Sequence, residues 1–282
     1  YPNVVDFKRA ATVAYHTVLA HASAVRAFRD GEFGGEIGIV LNLTPSYPRS
    51  QNPADLKAAH HADLFFNRSF LDPVLLGEYP ADLVALLDKH GQLPACQPGD
   101  AALVADGKID LLGINYYQPR RVKCRDNAIN PDAPFMPEWF FDAYEMPGRK
   151  MNPYRGWEIY EPGIYDILTN LRLNYDNPRC FISENGMGVE NEQRFIQDGK
   201  INDSYRIEFV AGHLAWLHKG ISEGSHCLGY HMWTFIDNWS WCNAYKNRYG
   251  FVQLDLTTQQ RIIKKSGEWF AAVAGRNGFE PE

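Results

Sequence analysis

Glu184 ends a short apolar run, Phe181-Ile182-Ser183, and Asn185-Gly186-Met187-Gly188 closes the segment behind it with two glycines. That order describes a buried strand stopping at a turn. At the C-terminal mouth of a parallel strand, where α/β barrels keep their chemistry, a carboxylate is a candidate catalytic group. The plain alternative is a solvated glutamate beside a turn, and on this segment alone both readings stand. Two further strand-like runs end in polar and aromatic residues. One closes with Asn115-Tyr116-Tyr117, the other with Met232-Trp233-Thr234-Phe235-Ile236-Asp237-Asn238-Trp239-Ser240-Trp241.

The elements that must hold these residues follow from periodicity. Asp6 is placed to cap a helix whose residues Ala10, Val13, Thr17, Ala20, Ala24 and Phe28 step by three or four, with Gly31, Gly34 and Gly35 at its end. The continuous apolar run 37–43 is the mark of a strand buried on both faces. Helical stretches over 53–70 and 80–90 precede a strand at 109–117. The long connection 118–162 carries Trp139, Phe140, Phe141, Tyr154 and Trp157, and loops of that length within a compact domain are usually functional.

A helix at 163–173, a strand at 180–184, a helix at 203–223 and a strand at 228–236 come next. Residues 249–255 and 259–265 alternate about Thr257-Thr258 as a hairpin, and an amphipathic helix at 267–274 closes the chain. This alternation predicts a parallel sheet covered by helices. Four buried strands are expected where a closed barrel needs eight, so the sheet is either open or half of something larger. No glycine-rich dinucleotide fingerprint or P-loop follows any strand, which weakens a nucleotide-binding version of the sheet.

Composition narrows the classes. A chain of 282 residues, 45% hydrophobic and 13% aromatic, is ample for a large core in one α/β domain. A formal charge of −6 offers no broad basic field for a phosphate backbone, which argues against nucleic acid as a partner. No run of 18 apolar residues and no signal peptide is present, so a soluble, non-secreted protein with no membrane partner is expected. Cys96, Cys124, Cys180, Cys227 and Cys242 are scattered with no C-x-x-C pair. Neither a zinc site nor a disulfide framework is suggested, and reduced cytosolic thiols are the simplest account.

The three strand ends, in their order and spacing, resemble glycoside hydrolase family 1, and the likeness runs from the first helix to the C-terminus, including residues 37–43 and Arg248-Tyr249-Gly250-Phe251. The resemblance implies a retaining β-glycosidase on a (β/α)8 TIM barrel, working without metal or organic cofactor. Glu184 then looks like the nucleophile that attacks the anomeric carbon. Tyr117 resembles the tyrosine that hydrogen-bonds this carboxylate, Asn115 lies with it, and Trp233 resembles the platform beneath the sugar. The physics agrees: a phenol donor favours the ionised carboxylate, and a flat indole covers the apolar face of a pyranose. Trp233 otherwise reads as a core aromatic at a strand end.

Members acting on unmodified sugars usually carry a glutamate where this chain has Ser240. A carboxylate there would repel a 6-phosphate, whereas serine offers a donor. The resemblance to the phospho-β-glycosidase branch implies that a lysine and a tyrosine a few residues on hold the phosphate, and the chain supplies Lys246 and Tyr249. In one pattern of that branch the lysine falls where Asn247 stands. The plain alternative makes Lys246 and Arg248 a solvated basic pair, and Arg248 also reads as structural. Trp241 lies beside the sugar in several branches and does not settle the 4-hydroxyl configuration.

A retaining enzyme needs a second carboxyl group about 5–5.5 Å from the nucleophile. In this family it follows an asparagine in an Asn-Glu-Pro-like segment, which this chain lacks. Asn191-Glu192 reads as a loop and Glu158 as rim or structural. The sequence is therefore expected to be the second half of a family 1 enzyme, strands 5–8, in a single catalytic domain that needs its other half or a second copy, as a homo-oligomer, to cover its edges.

The expected substrate is a 6-phospho-β-D-glucoside met in a bacterial cytoplasm, with Trp139, Phe140, Phe141 and Trp157 lining the aglycone entrance. A 6-phospho-β-galactoside or an unphosphorylated β-glucoside is the alternative substrate. A non-catalytic half-barrel that binds sugar phosphates is the alternative of another class.

Overall fold

Asp6, in extended backbone, accepts a hydrogen bond from Arg9 N (3.1 Å) and starts the first helix, α1 (Phe7–Asp30). The computed structural model describes residues 4–280, which divide into two compact units. The first comprises residues up to Gly113 with Pro119–Gly148 and Leu173–Cys180; the second comprises Ile114–Gln118, Arg149–Arg172 and Phe181 onward.

In the first unit α1 is followed by strand β1 (Gly38–Asn42) and helices α2 (Pro53–Asp63), α3 (Ser69–Leu75), α4 (Ala81–Lys89) and α5 (Asp100–Asp106). The single helix expected over 53–70 is interrupted by a π-type turn at Leu64–Arg68. Within it Asn67 is drawn to the strand side, exchanging hydrogen bonds with Thr44 N and Thr44 O (both 2.9 Å). Helix α5 carried no recognisable periodic signal, being only seven residues long. Tyr15 donates to Asp100 (2.6 Å), and Tyr175 to Asp72 (2.5 Å).

The next strand, β2 (Leu111–Asn115), lies beside β1. Leu112 N donates to Arg179 O and Tyr116 N to Glu184 O, so the partner numbers climb together and β2 runs parallel to β3 (Cys180–Asn185). Among the described residues β1 has β2 as its only sheet neighbour, and Val40 is 50% exposed. The expectation of a strand buried on both faces is therefore corrected. Its apolar run encodes a burial that the described residues do not supply.

The long connection is not one functional loop. Phe141 joins Ala58, Ala59, Ala62 and Val122 in an apolar cluster, and Trp139 and Phe140 pack on Leu64, Leu83, Leu87 and Phe135. These three aromatics serve the core of the first unit, because each finds an apolar partner set there.

In the second unit the end of β2, then β3, then β4 (Cys227–Met232) lie side by side. Helices α6 (Pro162–Asn174), α7 (Ser204–Ser222) and α8 (Lys265–Arg276) flank them. Ile159, Met187, Val189, Phe209 and Val210 form a buried core. Strand β4 ends at Met232, earlier than expected, and the Trp-rich segment leaves it at a cis Trp233–Thr234 peptide. The expected hairpin is present as Val252–Leu254 against Arg261–Ile263, its turn held by Asp255, which accepts from Thr257 N (2.9 Å) and Thr258 N (2.7 Å).

Under this unit lies a buried ionic network. Glu192 accepts from Arg206 (2.6 Å), Lys264 (2.5 Å) and Tyr205 (2.6 Å). Lys264 also meets Asp237 (2.8 Å), Arg206 also meets Asp203, and Arg248 reaches Asp237 at 3.9 Å. Three carboxylates face three cations. Glu192, expected to be a loop residue, is instead the hub of this network, and Arg248 takes the structural role that the sequence left open for it.

His213 is fully buried on α7, its Nδ1 2.7 Å from Phe209 O, and its Nε2 has no partner among the described residues. Burial pushes its pKa down to about 4, against smaller opposing effects of Phe209 O and Glu161. The unfolded chain therefore binds the proton first. Stability contributed by neutral His213 is complete above pH 6.5 and is lost as pH falls toward 4, on the order of 3 kcal/mol in all. In a His213→Leu protein this part of the pH dependence should vanish. Chemical denaturation from pH 7 to 4 reads it, and parallel curves for the two proteins would refute the assignment.

Candidate active site

The C-terminal ends of β2, β3 and β4 converge in the second unit on one cavity of about 290 Å³. Tyr117, Arg155, Trp157, Glu184, Trp233, Ser240, Trp241 and Tyr249 line it, with Asn238 and Trp239. Tyr117 donates its phenol to Glu184 Oε2 at 2.7 Å. Burial first, and then that hydrogen bond, push the Tyr117 pKa far above the ordinary phenol range, so the group stays a donor. Its ring also meets the Trp157 indole, centroids 5.4 Å apart.

The glycines behind Glu184 have separate causes. A Cβ on Gly186 would strike Trp233 O, which packs there because Trp233 N donates to Asn185 O (2.8 Å). A Cβ on Gly188 would strike the Tyr249 ring. The motif that presents the carboxylate is thus also the surface on which Trp233 and Tyr249 are seated. Asn185 is buried and holds both neighbouring strands, donating to Tyr116 O (2.7 Å) and accepting from Tyr230 (2.7 Å).

Asn115, on β2, accepts from Ser183 Oγ (2.7 Å), which places it beside the carboxylate-bearing strand rather than on the cavity lining. Ser240 and Ala244 exchange backbone hydrogen bonds (2.9 and 2.8 Å) and hold the turn after the Trp-rich segment. Trp241 is 89% exposed and stands against Trp239, centroids 5.1 Å apart. Burial pushes the Tyr249 hydroxyl up in pKa.

Lys246 does not join these residues. Its side chain is 65% exposed, pairs with Glu190 at 3.2 Å, and lines a separate depression with Tyr245, Arg248 and Asp237. Asn247 is buried and pairs in register with Glu190, its Nδ2 without a partner among the described residues.

Arg155 was missed from the sequence, and Trp157 was recognised only as one of several loop aromatics. Arg155 sits on a turn whose Asn152 donates from Nδ2 to Gly188 O (3.0 Å) and accepts from Tyr154 N (3.1 Å), with Gly156 in the left-handed region (φ +66°). The run Asn152-Pro153-Tyr154-Arg155-Gly156 was legible as a turn. Its attachment to the Glu184 loop was not. Among the described residues no group of three or more His, Cys, Asp or Glu is placed to hold a metal ion, and no helix is long and apolar enough to cross a membrane.

At the end of a parallel strand a phenol-supported carboxylate thus shares one cavity with the Trp157 and Trp233 indoles. The glycosyl hydrolase family 1 profile matches residues 1–279, and the chain belongs to that family. It is 59% identical over 281 residues to the 6-phospho-beta-glucosidase GmuD of Bacillus subtilis (strain 168), a match covering 99% of this chain and 60% of that protein. It is 34% identical over 276 residues to a 6-phospho-beta-galactosidase of Streptococcus mutans, covering 92% and 58%. Among solved structures, the family 1 b-glucosidase from Thermotoga maritima superposes with a TM-score of 0.85 at 33% identity, covering 99% of this chain and 60% of that one. The chain thus spans about 60% of the length of these relatives.

Proposed function

We propose that this chain carries the nucleophile half of a retaining glycosidase that cleaves 6-phospho-β-D-glucosides. Its four parallel strands act as strands 5–8 of a (β/α)8 barrel. The observation that carries the reading is the shared cavity, in which Glu184 meets Tyr117, Trp233 and Ser240. Glu184 attacks the anomeric carbon and forms a glycosyl ester as the aglycone leaves. Water then opens the ester, and two displacements restore the starting configuration. Tyr117 holds Oε2 so that the other oxygen faces the sugar, and its hydrogen bond favours the ionised form.

The proton for the leaving group comes from a second carboxyl group about 5–5.5 Å from the first. Glu192 is not that group, being buried between Arg206 and Lys264. Among the described residues Glu184 is the only carboxylate on the cavity lining, and Ser240 stands where a glutamate would repel a phosphate. The reaction consumes a sugar already phosphorylated, which suits a cytoplasmic enzyme acting after phosphorylating uptake.

Hydrolysis of p-nitrophenyl β-D-glucoside and of its 6-phosphate by the natural polypeptide tests this reading. The phosphorylated substrate should have a kcat/KM higher by about 100-fold or more, since hydrogen bonds to charged groups contribute roughly 1.5–3 kcal/mol each. Equal values for the two substrates would remove the phosphate assignment.

A further inference from the structure

We propose that Arg155, not Lys246, is the cation that holds the 6-phosphate and sets the preference for phosphorylated substrates. The inference rests on the reading of the site given above and names the group that recognises the charge. A phosphate brought into a cavity that already contains an ionised carboxylate needs a cation facing it. Among the described residues Arg155 is the only basic one on the lining of the Glu184 cavity. Lys246 faces a different depression and is neutralised by Glu190.

The guanidinium is held in a way that suits it for this task. It stacks over the Trp157 indole, its carbon 4.4 Å from the ring centroid, which fixes its plane. Tyr249 shares the same cavity lining. Asn243, oriented with its amide oxygen inward, accepts from Nη1. Nε is shielded from solvent and has no acceptor among the described residues. Arg155 thus lines the cavity with Nη1 engaged by Asn243 and a shielded Nε left unpaired, a costly state for a guanidinium without a charge partner.

Ser240, Tyr249 and Arg155 together present two hydroxyls and a planar fork on one cavity lining. A guanidinium binds a phosphate through two parallel N–H···O bonds, which a lysine on a flexible stem does not reproduce. The supporting turn is pinned at Asn152 to Gly188 O, three residues from Asn185 and four from the nucleophile. The phosphate anchor and the attacking carboxylate are thereby tied to one loop, so that holding the 6-position also places the anomeric carbon.

The test uses Arg155→Met, Arg155→Lys and Lys246→Met in the natural polypeptide, with p-nitrophenyl β-D-glucoside 6-phosphate and its unphosphorylated parent as probes. Thermal midpoints establish that each variant folds. Arg155→Met should lower kcat/KM for the phosphorylated probe by about 100-fold or more, largely through KM, and lower the parent at least tenfold less, so that the preference between the probes collapses. Arg155→Lys should recover part of the loss, and Lys246→Met should change neither probe by more than about threefold.

Retained preference in a folded Arg155→Met protein, with the loss appearing in Lys246→Met instead, overturns the inference while leaving the phosphate reading intact. An equal fall on both probes also overturns it, by making Arg155 a support for Tyr249 alone. A natural enzyme with no preference between the probes fails the functional reading itself, before any variant is made.

Discussion

Glu184→Gln is expected to lower hydrolysis of the natural polypeptide's substrate by about 10⁵-fold or more, because an amide of the same shape neither attacks the anomeric carbon nor carries a charge. Tyr117 keeps a carbonyl acceptor in place of Oε2, so the fold and the cavity should survive and the thermal midpoint should move little. Glu184→Ala opens the space of the carboxylate. A small anionic nucleophile such as azide, supplied in solution, should then attack from that side in a single displacement and yield a product of inverted configuration. Steady-state rates and product NMR read both effects. A Glu184→Gln protein keeping more than about a tenth of the natural rate would assign the chemistry to another residue.

The second large effect is on stability. Lys264→Met should cost about 3–5 kcal/mol, because it strips the cation that Glu192 and Asp237 share and leaves three buried carboxylates to Arg206 and the more distant Arg248. For a chain of this size that corresponds to a fall in thermal midpoint on the order of 10 °C. Asp237 also accepts from Gly250 N (2.9 Å) and lies within the Trp-rich segment, so substrate affinity should weaken together with stability. A Lys264→Met protein within about 0.5 kcal/mol of the parent in chemical denaturation would place this network with weak surface pairs.

Both effects depend on features that differ in how far they were legible. Long elements were readable as elements because their cause is local, as with the α7 helix and the Asp255 turn. The position of Glu184 was readable for the same reason, since an apolar run followed by glycines marks a strand end. The buried face of α1 was not: Tyr15, Val18, Ala22 and Val25 turn inward, while Val13 and the rest of the expected stripe, Phe28 apart, face solvent. Strand β1 shows the limit. Its residues ask for burial on both faces, and only its surroundings say how much of that is met.

The letters alone thus determined the longer helices, the parallel character of the sheet and the residues at three strand ends, but not α5 or the break at Leu64–Arg68. Contacts between distant segments settled the rest. Arg155 enters the cavity because Asn152 bonds Gly188, 36 positions away. Lys246 leaves it because Glu190 offers a nearer charge, and Glu192 became a hub because α7 and α8 each bury a cation against it. Periodicity reports that an element has a face to turn from water. It is silent about which charge another segment will bring to that face, and that choice rests on burial and Coulomb energy in the folded state.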